Sequence, residues 1–184
     1  MGYRHTKDDI LGGAIAAAFD EGLSQLTFGR LAKRLRISDR IIVYYFPTKA
    51  DLITEVLRAL GSQLQAALLT TFSTRPADHR ALLRAVWPRL TRPDADPVFS
   101  LFFEAAGLAA AGREPYHSFV PQLVRGWIDW AADHLSGTPA ARRREAAAAI
   151  ATIDGLLLLR RLAGPDTANL AARRIGAPGA CGSD

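Results

Sequence analysis

Six cations fall between Arg30 and Lys49: Arg30, Lys33, Arg34, Arg36, Arg40 and Lys49, against one acid, Asp39. This window carries a charge of +5, which equals the formal net charge of the whole 184-residue chain, so the remainder sums to zero. Guanidinium and ammonium groups gathered this way suit the binding of phosphates and, through the arginine fork, of guanine edges. A basic helix pair is equally compatible with a solvated face, so the elements that hold the charges decide between the two.

Other chemistry is poorly provided for. There is no G-x-S-x-G, no P-loop and no histidine near a plausible nucleophile. His5, His79, His117 and His134 lie in separate elements, and Glu104 and Asp154 are single acids without a visible partner. Neither an enzyme nor a metal or other cofactor is expected. The single cysteine, Cys181, excludes an intrachain disulfide and points to a reducing compartment. Met1 to Lys7 is polar with no apolar run of the secretory kind behind it. The most apolar stretch, Ala146 to Leu159, contains Asp154 and Gly155 and is too short to span a bilayer. The expected location is the cytoplasm.

Helical spacing with caps recurs throughout and strand-like alternation does not, so the class is all-α. Thr6 with Asp9 predicts a capped helix over 7–21 with Ile10, Leu11, Ala14, Ala18 and Phe19 on its apolar face. Thr27 caps a second helix and Ser38 a third that stops before Pro47, with about three residues between them. Thr48 with Asp51 opens a long fourth helix that ends before Ser73. Further helices are expected near 78–91, 97–111, 116–135 and 140–163, and the Gly/Ala/Pro-rich tail from Gly164 is expected to be loose apart from a short piece near Ala168 to Arg174.

The second and third helices have the layout of a helix-turn-helix, with Leu31, Ala32, Leu35, Ile37 and Ile42 inward and the six cations facing solvent or phosphate. Leu26-Thr27-x-x-x-Leu31-Ala32-x-x-Leu35, then Ile37-Ser38, then Tyr45-Phe46-Pro47-x-Lys49-x-x-Leu52 resembles the N-terminal signature of the tetracycline-repressor (TetR) family, over roughly residues 5 to 60. The resemblance implies that Thr27, Phe28 and Gly29 lie near the DNA backbone and that Ser38, Asp39, Arg40 and Ile41 lead the recognition helix. Arg40 is the candidate base reader, and Tyr44, Tyr45 and Lys49 are candidates for phosphates. Asp39 can serve instead as a helix-dipole partner, and either tyrosine ring can serve as core. Three positions depart from the family pattern: Arg36 stands where a turn glycine is common, Val43 where tyrosine is, and Tyr45 where histidine is.

For the remainder, the family places an effector cavity among helices four to eight. Trp87, Phe99, Phe102, Phe103, Tyr116, Trp127 and Trp130 are its candidate walls, with Asp154 a polar neighbour, and the same aromatics can equally be plain core. Such a lining suits an apolar effector. The helices at 116–135 and 140–163 resemble the family's dimerising pair, with Leu123, Val124, Ile128, Leu135, Ile150, Ile153 and Leu157 as candidate interface residues. The expected organisation is a helix-turn-helix domain over 1–60, an effector and dimerisation domain over 61–164, and a tail over 165–184. The expected function is a dimeric repressor released from a pseudo-palindromic operator by a small molecule. The alternative is a helix-turn-helix regulator whose C-terminal domain answers to a protein partner.

Overall fold

The computed structural model describes residues 5–176, and Cys181 lies outside them. Among the described residues all regular structure is helical: α1 (Lys7–Glu21), α2 (Phe28–Leu35), α3 (Asp39–Tyr45), α4 (Lys49–Leu69), α5 (His79–Leu90), α6 (Asp96–Ala110), α7 (Tyr116–His134), α8 (Pro139–Ala163) and α9 (Pro165–Ile175). None is long and apolar enough to cross a membrane.

Local chemistry accounts for the helix starts. Thr6 accepts from Asp9 N–H at 3.1 Å while Asp9 Oδ2 accepts from Thr6 N–H at 2.8 Å, a complete capping box. The Thr6 backbone N–H, contributing most, and the Thr6 hydroxyl, which donates to the same oxygen at 2.8 Å, hold the Asp9 carboxyl below its ordinary value. Thr48 and Asp51 repeat the arrangement at α4. Thr27, Asp78 and Thr138 cap α2, α5 and α8 through their side chains. Ser38 occupies the N-cap position of α3, but its side chain makes no capping bond, contrary to the expectation from sequence; its carbonyl takes the Ile41 N–H at 3.0 Å instead. The tail also departs from expectation. Pro165, with φ preset for a first turn, opens an α9 that buries Ala168 and Ala172 and runs to Ile175, longer than the short piece expected.

The described residues divide into two compact units, one of residues 5–63 with 100–121, the other of 64–99 with 122–176. The first contains α1 to α3, most of α4, and the part of α6 from Ser100 onward. Its core is built from Ile10 and Ala14 of α1, Leu23 and Leu26 of the following loop, Leu31 of α2, Ile42 of α3 and Leu52 and Val56 of α4, all fully or almost fully buried. α1 and α2 approach closely at Gly13: a Cβ there would stand 2.6 Å from Leu35 Cδ2.

In the second unit α8 packs against both α5 and α9. Leu82, Leu83, Val86 and Trp87 of α5 are buried, as are Ile153, Leu156 and Leu157 of α8. Two polar links set the register of α5 and α8. His79 meets Glu145 at 2.6 Å near one end, and Arg160 donates to the Thr91 carbonyl at 3.1 Å near the other, so the two helices run in the same direction. The His79 backbone N–H also donates to Glu145 at 2.9 Å and is the largest cause holding that carboxyl below its ordinary value.

Candidate nucleic-acid interface

The turn between α2 and α3 begins at Arg36, the described non-glycine residue with positive φ, at 56° with ψ 42°. Arg36 N–H reaches the Lys33 carbonyl at 3.4 Å and Ile37 N–H the Ala32 carbonyl at 3.0 Å, the bond pair of a Schellman termination. The sequence offers an arginine where this conformation favours glycine, and the arginine adopts it. α3 then leaves along a new direction, with Ile42 pinned in the core and Phe46 buried behind it. The cationic end of Lys7 lies 5.5 Å from the Phe46 ring centroid.

Ser38, Asp39, Arg40 and Ile41 are exposed at the start of α3, as are Thr27 and Gly29 at the start of α2, with Phe28 half-buried. A Cβ built on Gly29 would meet Asp39 Oδ2 at 4.0 Å and nothing nearer, which places the beginnings of α2 and α3 side by side. Tyr44 is 78% exposed and meets the half-buried Tyr45 ring edge-on at 4.9 Å between centroids. The Tyr45 hydroxyl donates to the His5 carbonyl at 3.3 Å.

The six cations are not equivalent. Arg30 is bridged to Glu21 at 2.9 Å and Arg34 to Asp20 at 2.6 Å, both acids on α1 and none of the four groups buried. By sequence both arginines are expected to face solvent or phosphate; the fold brings two acids from before the window alongside them. Lys49 Nζ donates to the Ser24 carbonyl at 3.5 Å. Arg40 is exposed and forms no ion pair among the described residues.

The candidate effector residues fall in both units. Trp87, Phe99, Trp127, Trp130 and Asp154 belong to the second, and Phe102, Phe103 and Tyr116 to the first. Trp87 is wholly buried, with its Nε1 lacking a hydrogen-bond partner among the described residues. Trp127 and Trp130 are half-buried, 5.4 Å apart and edge to face; Trp130 continues to His134 at 4.5 Å and Phe72 at 6.1 Å. Burial pushes the Asp154 carboxyl up to about 6. In the first unit Phe102 and Phe103 are half-buried with centroids 5.5 Å apart. Burial, and secondarily the Glu104 charge, push the Tyr116 phenol up to about 12.

Among the candidate interface residues, Leu135, Ile153 and Leu157 are buried within the chain itself, whereas Leu123, Val124, Ile128 and Ile150 are half-buried. The exposed large side chains of this region are Leu158, which the apolar stripe of the last long helix already includes by sequence, and Leu162 at 77% and Leu170 at 65%, which it does not. Helical spacing alone could have found Leu162, because positions 147, 151, 155, 158 and 162 form one stripe. Glu104 was also missed as a structural group. It does have partners, the backbone N–H groups of Leu23 and Ser24, and no sequence motif announces a side-chain bond to a loop amide 80 residues away.

Residues 10–56 match the family described as bacterial regulatory proteins, tetR family. No curated protein matches the sequence. Solved structures do resemble it along nearly its whole length. A transcriptional regulator from Rhodococcus sp. Rha1 is 24% identical with a TM-score of 0.71, covering 94% of this chain and 95% of its own. A TetR transcriptional regulator from Legionella pneumophila is 21% identical with a TM-score of 0.66, over 95% and 96%. The multidrug binding protein EbrR, solved in complex with proflavin, is 20% identical with a TM-score of 0.64, over 92% and 98%. The helix-turn-helix of residues 10–56 is therefore that of the TetR family of bacterial regulatory proteins, on a chain that has the fold of TetR-type transcriptional regulators.

Proposed function

We propose that the protein is a homodimeric, ligand-responsive transcriptional repressor that binds a pseudo-palindromic operator and leaves it when a small, mostly apolar effector binds outside the helix-turn-helix. The observation that carries the DNA half is the exposed start of α3, where Arg40 stands without an ion pair among the described residues while Arg30 and Arg34 are tied to α1 acids. Arg40 reads a base edge in the major groove, flanked by Ser38, Asp39 and Ile41. Thr27, Tyr44 and Lys49 hold phosphates, and Phe28 and Gly29 let the backbone approach closely.

A seven-residue recognition helix makes few base contacts, so specificity requires two copies. The exposed stripe of α8 supports the second copy: Ala147, Ala151 and Gly155 allow close helix approach, and Leu158 and Leu162 supply the apolar contact. Half-buried aromatics and the desolvated Asp154 support an effector site in the second unit, and EbrR is a protein of this fold that binds proflavin. Such a regulator works where the chromosome is, in the cytoplasm.

The test is selection of genomic fragments with the purified protein. Enrichment of fragments sharing an inverted repeat whose half-sites lie about one helical turn apart supports the proposal. Binding of all fragments alike, falling with salt but without a shared sequence, would refute operator recognition.

A further inference from the structure

The α1–α2 loop is gripped by a carboxylate from far along the chain. Glu104 Oε2 accepts from Leu23 N–H and Oε1 from Ser24 N–H, each at 2.9 Å. Gly22, just before, has φ 89°, and a Cβ there would stand 3.1 Å from Glu104 Oε2, so the turn that presents both amides to one carboxylate suits glycine. The same loop continues to the DNA-facing surface, where the Ser24 carbonyl accepts from Lys49 Nζ. Ser24 is thus held at its N–H by an anion and in turn holds a cation at its carbonyl. A lysine ammonium has three donors, so the Ser24 contact leaves two for a phosphate.

We propose that Glu104 is a positioning residue of the DNA interface: by fixing the Leu23 and Ser24 amides it sets the loop carbonyl that aims Lys49 at the phosphate backbone. This rests on the reading of Lys49 as a phosphate contact. In Glu104→Gln the amide nitrogen cannot accept, so one of the two loop bonds is lost with little change of shape.

The experiment measures binding to a genomic fragment selected by the wild-type protein, across a range of salt, for Lys49→Met, Glu104→Gln and the double variant. Lys49→Met should lower the slope of log K against log salt by about 1.8, the value of two phosphate contacts, one from each copy on the operator. Glu104→Gln should weaken binding about tenfold, as when a tenth of the molecules remain competent to dock, and lower the slope in the same direction. The double variant should bind no more weakly than Lys49→Met alone. A normal slope in Glu104→Gln, or a loss that adds in full to that of Lys49→Met, overturns the role of Glu104. A normal slope in Lys49→Met overturns the phosphate contact itself, and the Glu104 role with it. If Glu104→Gln does not fold, amide exchange in the wild-type protein decides: Leu23 and Ser24 should exchange at least about tenfold more slowly than an open loop, and open-loop rates would overturn the proposal.

Discussion

Replacing Arg36 by glycine should stabilise the protein, because the turn of the helix-turn-helix holds an L-residue at φ 56° and ψ 42°. The left-handed conformation costs a residue with a Cβ roughly 1–2 kcal/mol, while glycine's freedom in the unfolded chain takes back about 0.4–1 kcal/mol. The expected net gain is about 0.5–1 kcal/mol, which for a chain of this size raises Tm by about 1–4 °C. The Schellman bonds from Arg36 and Ile37 to the Lys33 and Ala32 carbonyls involve backbone only and survive the change. Thermal and urea unfolding of Arg36→Gly, Arg36→Asn and Arg36→Lys separates the terms. Asparagine tolerates this conformation and should fall between glycine and wild type, whereas lysine keeps both Cβ and charge and should match wild type. A glycine variant no more stable than wild type, or an asparagine variant below it, would refute the claim that backbone strain is stored here.

Arg40→Ala should abolish sequence preference, a loss of about 1–3 kcal/mol for the cognate base pair, while non-specific binding persists with its salt dependence; unchanged specific affinity in a gel-shift titration would remove Arg40 as the reader. Leu162→Glu, at a site 77% exposed, should dissociate the dimer in sedimentation while the monomer stays helical by circular dichroism, whereas Ile153→Glu, at 7%, should unfold the second unit because it buries an unpaired charge; an undisturbed dimer in Leu162→Glu would move the interface off this stripe. Asp154 has a folded-state pKa of about 6, raised by burial from 3.8, so the folded state binds its proton more tightly than the unfolded state does. That stabilising contribution is full below about pH 3.8 and is lost as pH rises through about 6. Asp154→Asn should therefore be more stable than wild type at pH 7.5 and show a flatter profile between pH 4 and 6, and parallel profiles would contradict a desolvated carboxyl.

Much of the architecture was legible in the sequence because its signals are local. Thr6 with Asp9 and Thr48 with Asp51 are reciprocal bonds across three residues, and both form where the spacing places them. The apolar period and Pro47 bound α3 in the same way. α9 was underestimated because its burial comes from two alanines packed against α8, which composition alone reads as loose tail.

The sequence by itself determined the helices, their caps and the inward positions Leu31, Ala32 and Ile42, since each depends on neighbours within a turn or two of chain. Only the tertiary structure decided which charges remain available. It set Asp20 and Glu21 against Arg34 and Arg30, engaged the Tyr45 hydroxyl with His5, and carried Glu104 to the amides of Leu23 and Ser24. It also buried Ile153 and Leu157 while leaving Leu162 exposed. Side-chain ion pairs and burial depend on distance in space, and for groups 9 to 81 residues apart the order of the chain does not specify that distance.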